Sequence, residues 1–153
     1  YDPVTGKVVP AGKTALKAPM KKEYIAIGAI RSYSPRDTER IYSGSAEIIK
    51  GADKVVLDLG EVKDWATVFI DGRKVADLWC APYSCDITPF VKAGVVSQIR
   101  VKVVSTWYNA LVEDAKKPME ERKTWTKCGP DENARFRKSG LLGPVSLKYG
   151  FGR

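Results

Sequence analysis

The sequence predicts an all-β protein, an antiparallel jelly-roll β-sandwich. Short segments alternate apolar and polar residues, turn residues separate them, and no long stretch has a helical period. Because successive side chains of a strand point to opposite faces, this period of two is typical of strands that bury one side. The alternating segments are residues 54–59, 66–70, 74–79, 99–103 and 145–149.

The domain is expected to begin near Tyr24. Residues 1–23 are rich in Lys, Pro and Gly, a composition typical of an arm or a linker. Apolar residues then recur over 24–30 and, after a polar turn region, over 41–49. A chain of 153 residues suits one domain with its own core. We therefore predict an N-terminal arm or linker over residues 1–23 and a single sandwich domain over residues 24–153.

A tight hairpin is predicted at Asp71-Gly72, between two of the alternating segments. A two-residue type I′ turn needs positive φ at both central positions. Gly adopts positive φ freely and Asp tolerates it. The dipeptide therefore predicts that residues 66–70 and 74–79 pair as adjacent strands.

A single helical turn is predicted within residues 86–94. Thr88 is the expected N-cap, Pro89 the first helical residue and Gly94 the terminator. Asp86 is expected to act as a turn or cap residue that accepts hydrogen bonds from backbone N–H groups.

A long connection without clean alternation covers residues 106–139. Compact domains seldom keep so long a connection unless it is functional or packs on something. One interpretation is structural, with a short helix over residues 119–123 that starts after Pro118, followed by an irregular strand at 124–126. The alternative interpretation is a ligand-binding loop.

The charge of the chain does not indicate a nucleic-acid partner. Lys and Arg total 26 against 18 Asp and Glu, a formal charge of +8. The basic residues are scattered in short groups with acids between them, whereas nucleic-acid binding needs a clustered basic face. No apolar run is long enough to span a membrane, so no membrane partner is expected either.

The three cysteines and the lack of His exclude the usual zinc spacings and a Cys–His catalytic pair. Cys80 and Cys85 either bridge across the bend at Pro82 or, in the favoured interpretation, are buried free thiols. Carboxylates of Asp64, Asp71 and Asp114 are candidate oxygen ligands for a structural calcium ion. They lack the spacing of a dedicated calcium loop, so no metal and no cofactor is expected.

Five groups of residues, in the same order, resemble the β-sandwich domain of rhamnosidase-type glycoside hydrolases. They are also similar to the sugar-binding jelly-roll domain of family two glycosidases. The groups are residues 41–46 (IYSGSA), 57–60 with 62–64 (LDLG, VKD), 78–79 with 81–83 and 86–88 (LW, APY, DIT), 106–111 (TWYNAL) and 139–145 (SGLLGPV).

This resemblance implies a galactose-binding-domain-like jelly roll attached to a catalytic barrel elsewhere in the same polypeptide. It also implies a bacterial enzyme that is periplasmic or secreted. Three departures stand out: Ala110 where many relatives carry Arg, cysteines at positions 80 and 85, and Lys138 where Pro is common. A sugar contact made by that Arg in the relatives is therefore not expected here.

No catalytic residue is predicted in this chain. Glycosidases place two carboxyl groups on either side of the scissile bond. The acidic pairs here are sequence neighbours, whose side chains diverge in a helix or strand. They are Glu113-Asp114, Glu120-Glu121 and Asp131-Glu132. No His base and no recognisable Ser or Cys nucleophile is available, so the chain alone is expected to be non-catalytic.

A carbohydrate is the expected ligand, because sugar binding combines aromatic faces with groups that hydrogen-bond hydroxyls. The candidates within the long connection are Trp107, Tyr108, Asn109, Asp114, Arg122 and Trp125. Alternatively, Trp107 plugs the end of the sandwich. Trp79 is expected in the core and Trp65 at the surface. The predicted function is a non-catalytic carbohydrate-binding or ancillary module, and the alternative is an interaction domain that packs on a catalytic barrel without binding sugar.

Overall fold

The computed structural model describes residues 20–152. In this part of the chain eleven strands form two packed sheets and a short ribbon. In chain order they are β1 (Lys21–Tyr24), β2 (Ile27–Ala29), β3 (Glu39–Glu47), β4 (Lys54–Asp58), β5 (Glu61–Lys63), β6 (Trp65–Ile70), β7 (Arg73–Leu78), β8 (Ser84–Asp86), β9 (Val96–Val104), β10 (Gly140–Gly143) and β11 (Ser146–Gly150).

The larger sheet has the strand order β2-β3-β9-β6-β7 and the smaller one the order β1-β11-β4-β8. Strands β5 and β10 form the ribbon. Every pair of neighbouring strands is antiparallel. This arrangement confirms the predicted all-β antiparallel sandwich.

The core lies between the two sheets and consists of the predicted inward positions. Its buried side chains include Val55 and Leu57 of β4, Ala66, Val68 and Ile70 of β6, Ile99, Val101 and Val103 of β9, and Leu147 and Tyr149 of β11. Removing a Val, Leu or Ile side chain of this kind from water contributes about 1.5–3 kcal/mol to folding. The alternation in the sequence therefore predicts the inner face of each sheet correctly.

The hairpin between β6 and β7 has the predicted turn geometry. Asp71 has φ 48° and Gly72 has φ 80°. The Asp71 carboxylate also accepts a hydrogen bond from the Gln98 N–H at 2.8 Å, which ties the turn to β9.

The predicted cap before the helical turn is partly confirmed. Asp86 accepts hydrogen bonds from the N–H and the hydroxyl of Thr88, and these bonds lower the pKa of its carboxyl. Thr88 itself is not the N-cap. It begins a 3₁₀ helix, Thr88–Phe90, and its hydroxyl accepts a hydrogen bond from the Val55 N–H instead. Gly94, at φ 72°, lies beyond this helix in the turn before β9.

The first strand begins earlier than predicted. Residues 21–23 pair with β11, so they belong to the sandwich and not to an arm. Residues 1–19 of the predicted arm lie outside the described residues.

The burial predicted for Trp79 and Cys80 in the bend after β7 is wrong, whereas the prediction that Cys80 and Cys85 are free thiols is confirmed. Trp79 is 67% exposed, because β7 ends at Leu78 and the inward position falls on that Leu. Cys80 is an exposed free thiol, whereas Cys85 is free and half-buried against the core. Burial raises the pKa of the Cys85 thiol to about 11. Trp65 is exposed, as predicted.

Among residues 20–152, no helix combines the length and the apolar character that crossing a membrane requires. The same residues contain no cluster of three or more His, Cys, Asp or Glu side chains suited to a metal ion.

Candidate functional site

The connection between β9 and β10, residues 105–139, carries most of the candidate site. It contains an eight-residue helix, α1 (Tyr108–Ala115), and a 3₁₀ helix, Met119–Glu121. The short helix after Pro118 was predicted, although it takes the 3₁₀ form. The strand predicted at residues 124–126 is wrong, since this segment belongs to no strand.

Helix α1 was not predicted, because its buried face is only partly apolar. The buried residues are Asn109, Val112, Asp114 and Ala115. Two of these four are polar, and the helix has only eight residues, so the helical spacing of Tyr108, Leu111, Val112 and Ala115 is too short to indicate an amphipathic helix by itself. The helix packs through hydrogen bonds as much as through apolar contact.

Asp114 organises the chain that follows α1. Its side chain is buried, with 5% exposed, and one carboxylate oxygen accepts hydrogen bonds from the N–H groups of Lys123 and Thr124 at 2.9 and 2.7 Å. The Thr124 hydroxyl donates to the same oxygen at 2.6 Å, and the Lys117 ammonium lies 3.1 Å from the other. These partners, the Thr124 hydroxyl first, hold the pKa of Asp114 well below its usual range. The carboxylate is thus engaged by its own chain.

Asn109 and Arg122 also hold the connection together. The Asn109 amide donates to the backbone oxygen of Arg137 and accepts from its N–H, both at 2.8 Å. The Arg122 guanidinium donates to the carbonyl oxygens of Ala115 at 2.7 Å and Lys117 at 2.9 Å, which satisfies acceptors at the end of α1. Of the six predicted site residues, Asn109, Asp114 and Arg122 therefore stabilise the connection.

Trp107 and Trp125 remain open to solvent, with exposed fractions of 69% and 85%. Trp107 does not plug the sandwich. It lies one turn before Leu111, on the same face of the helix as Leu111 and Ala115. Trp125 lies with Leu111, Ala115 and the exposed Met119 along a groove of about 290 Å³. We call these four apolar residues, the half-buried Leu111 and the exposed Trp107, Met119 and Trp125, the α1 strip.

Tyr108 lies outside the α1 strip. The Arg137 guanidinium covers its ring, with the guanidinium carbon 3.6 Å from the ring centroid. Together with Asn109 it lines a second concavity, a cleft of about 320 Å³ at the end of the sandwich. The structure thus separates the six candidates into the α1 strip, this cleft and the internal supports.

Sequence reasoning missed most of the residues around this cleft. They are Lys63, Asp64, Ser105, Thr106, Arg137, Lys138 and Ser139. The groups 62–64 and 139–145 had already been noted for their resemblance, and pairing of β5 with β10 brings them together. The resemblance of these two groups was the signal in the sequence, and only the pairing of β5 with β10 shows that they meet at one cleft.

Comparison with known proteins relates the chain to sugar-cleaving enzymes. A protein of Formosa agariphila described as a putative beta-glucuronidase is 35% identical over a region that covers 71% of this chain. The rhamnosidase from Novosphingobium sp. PP1Y is 33% identical over 72% of this chain, with a TM-score of 0.63. Both relatives are glycoside hydrolases.

The chain spans about 11% of the length of each of these two relatives. The β-glucuronidase of Ruminococcus gnavus in complex with uronic isofagomine shares the fold, with a TM-score of 0.55 over 87% of this chain at 15% identity. This chain covers 29% of that enzyme. No protein-family model matches the sequence.

Proposed function

We propose that this chain is a non-catalytic ancillary module of a glycoside hydrolase, and that it binds carbohydrate through the α1 strip. The observation that carries the proposal is the similarity of the chain to two glycoside hydrolases, with sequence identities of 33% and 35%. The similar region covers about seven-tenths of this chain but only 11% of the length of each relative. The catalytic domain then lies elsewhere in the same polypeptide, in a periplasmic or secreted bacterial enzyme. The sandwich itself corresponds to a galactose-binding-like jelly roll.

The α1 strip has the chemistry that sugar binding requires. The face of an indole ring can cover the apolar C–H side of a pyranose ring. Trp107 and Trp125 are both exposed to solvent and therefore accessible to a sugar. Lys123, Thr124 and Thr126 border the groove beside Trp125 and supply polar groups for hydroxyls. Because the groove is shallow, most of a bound glycan stays hydrated and the affinity is expected to be weak.

One observation favours a second function, packing on a catalytic domain. Met119, Phe136 and both Trp residues are exposed on the same connection. Exposed apolar side chains that cluster in this way are typical of protein interfaces. In this alternative the α1 strip is covered by the neighbouring domain and takes no sugar.

Calorimetric titration and glycan-array screening of the 153-residue chain test the proposal. Trp125→Ala and Trp107→Ala should each weaken binding of rhamnose- or galactose-containing oligosaccharides. Trp79→Ala is the matched control, because Trp79 is equally exposed but lies on the β7–β8 bend, outside the connection. Thermal melts of all three variants establish that they fold.

Three outcomes decide between the functions. Weaker binding in the two connection variants, with the control unchanged, supports the α1 strip as the site. Binding that is unaffected by both substitutions contradicts it and assigns the sugar to another surface. No binding to neutral or acidic glycans rejects the sugar-binding function and leaves packing on a catalytic domain.

A further inference from the structure

A second concavity of the sandwich, which we call the basic cleft, has features of a binding site. It lies where the end of β5, the start of β6, the end of β9 and the last residues of the connection meet. Its volume of about 320 Å³ falls at the small end of the range for small-molecule sites. The lining residues are Lys63, Asp64, Ser105, Thr106, Tyr108, Asn109, Arg137, Lys138 and Ser139.

The walls of the basic cleft are held in place by hydrogen bonds. Asn109 fixes the backbone of Arg137 through two bonds of 2.8 Å. On the opposite wall the Ser105 hydroxyl donates to the Lys63 carbonyl oxygen, and the Thr106 N–H donates to the Asp64 carboxylate at 3.2 Å. A cleft whose walls are fixed in this way loses little conformational entropy when a ligand binds.

The side chains around the cleft carry an excess of positive charge. The lining contains three positively charged residues, Lys63, Arg137 and Lys138, and one negatively charged residue, Asp64. Lys63 is partly neutralised, because its ammonium lies 3.3 Å from the Glu61 carboxylate. Among residues 20–152, Arg137 and Lys138 form no ion pair. Two cations are therefore available to a ligand.

A buried guanidinium lies behind the same wall. Arg40 is 9% exposed, and one terminal nitrogen donates to the Ser139 carbonyl oxygen at 2.7 Å and to the Ser139 hydroxyl at 2.6 Å. Its other terminal nitrogen donates to the Ser34 carbonyl oxygen, and its Nε has no partner within the described residues.

Within residues 20–152 no carboxylate pairs with Arg40 either. Burying a charge among neutral acceptors alone is costly. An anion in the cleft would lie across Ser139 from this guanidinium and offset part of that cost, since coulombic attraction is strong away from water.

We propose that the basic cleft binds an anionic sugar through its carboxylate or sulfate group, a ligand choice that rests on the proposed role of the chain as a glycan-binding module. Arg137 and Lys138 donate charge-assisted hydrogen bonds to the anionic group. The Asp64 carboxylate accepts hydrogen bonds from the ring hydroxyls, and the Thr106 hydroxyl donates to them or accepts from them. Tyr108 keeps the Arg137 guanidinium in position, because its ring stacks on that group with the guanidinium carbon 3.6 Å from the ring centroid.

The test is an NMR titration of the ¹⁵N-labelled chain with glucuronic acid, glucose 6-sulfate, glucose and sodium sulfate. We expect the two anionic sugars to shift the backbone amides of Thr106, Arg137 and Ser139. Glucose should bind at least about tenfold more weakly, because it lacks the charged group that forms charge-assisted hydrogen bonds. Raising the salt concentration should weaken binding of the anionic sugars.

The double variant Arg137→Gln/Lys138→Gln should lose about tenfold or more in affinity for glucuronic acid. The hydrogen bonds between Asn109 and residue 137 should persist in this variant, because they involve the Arg137 backbone and not its side chain. Lys127→Gln is the matched control, since it removes one exposed positive charge of the same connection outside the cleft. A ¹⁵N spectrum that is unchanged away from the cleft verifies folding.

Equal affinity for glucose and glucuronic acid overturns the inference, and so does glucuronate binding that survives the double variant. Sodium sulfate that binds as tightly as glucose 6-sulfate also overturns it, because the sugar then contributes nothing. The amides that shift keep this test separate from the proposed function. Absence of shifts at Thr106 and Ser139 with the anionic sugars contradicts the basic cleft and leaves the α1 strip standing. Absence of shifts at Thr124 and Trp125 when the rhamnose- or galactose-containing oligosaccharides are added contradicts the α1 strip and leaves the basic cleft standing.

Discussion

The sandwich and the connection between β9 and β10 are stabilised in different ways. In the sandwich, side chains such as Leu57 and Ile99 are fully buried between two sheets. In the connection between β9 and β10, Asn109 and Asp114 are buried polar side chains that fix the backbone. Val112 is buried as well, whereas Trp107, Met119 and Trp125 are exposed. The sandwich is held by apolar burial, and the connection by polar contacts to its own backbone.

Because of this difference, the residues that stabilise the connection are not the ones that are exposed for recognition. A connection that is fixed by two buried polar residues does not need its Trp side chains for folding. Trp107 and Trp125 are therefore free to contact a ligand or another domain. The same arrangement makes the connection sensitive to pH and to single polar substitutions, whereas the sandwich is sensitive to changes in side-chain volume.

The largest effect is expected in the core of the sandwich. Ile99→Ala removes a fully buried side chain from β9 and should lower the free energy of unfolding by about 2–5 kcal/mol. Val96→Ala, at an exposed position of the same strand, should change it by no more than about 0.5 kcal/mol. Urea denaturation measures both. Similar values for the two variants would contradict the assigned inner face of β9.

The next effect concerns the backbone of the β6–β7 hairpin. Gly72→Val should cost about 1–2 kcal/mol, because φ is 80° there and a left-handed backbone is unfavourable for a β-branched residue. Gly28→Val is the control, since an added Cβ meets nothing within 4 Å at either position and Gly28 lacks a positive φ. A melting temperature of Gly72→Val equal to that of the control would argue against the turn geometry.

Asp114→Asn should change the free energy of global unfolding less than the core and hairpin substitutions do, and should act mainly on the local opening of the connection. The amide keeps one acceptor oxygen and loses its charge, so the hydrogen bonds from Lys123 and Thr124 weaken. Hydrogen exchange of these two amides should accelerate, while amides of β9 remain protected. Glu113→Gln is the control, because among residues 20–152 that carboxylate forms an ion pair with the exposed Arg36 alone. Unchanged exchange at Thr124 would refute the role of Asp114.

The smallest effect is the pH dependence of the same contact. Folding lowers the pKa of Asp114 from 3.8, so the stabilisation is fully present above pH 4. It is lost progressively as the pH falls below 4, because the carboxyl takes up a proton more readily in the opened connection. The protection factor of the Thr124 amide, which corrects for the slower intrinsic exchange in acid, should therefore fall before the protection factors of β9. The Asp114→Asn variant should lack this pH dependence, and its persistence there would assign the effect to another group.

Much of the sandwich could be predicted from the sequence, because a period of two is a local property of a strand. Val55 and Leu57 alternate with Val56 and Asp58, and Val55 and Leu57 are buried. The Asp71-Gly72 turn was likewise readable, since the required positive φ limits the residues that occupy it.

The candidate site was less predictable, because its residues play different roles that the composition of the connection does not separate. Asn109 and Trp107 looked alike as sugar ligands in the sequence, yet one binds the Arg137 backbone and the other faces solvent. Trp79 was expected in the core because large aromatic residues are usually buried, and the end of β7 at Leu78 exposes it.

By itself, the sequence determined the alternating strands of the core, their inner faces and the tight turn, since each depends on residues that are neighbours along the chain. Only the tertiary structure decided which polar side chains became supports and where a cleft formed. Asp114 depends on the returning backbone of Lys123 and Thr124, and the basic cleft depends on β5 lying beside β10. A buried polar group is stabilised only by its partner, and that partner is chosen by the path of the chain.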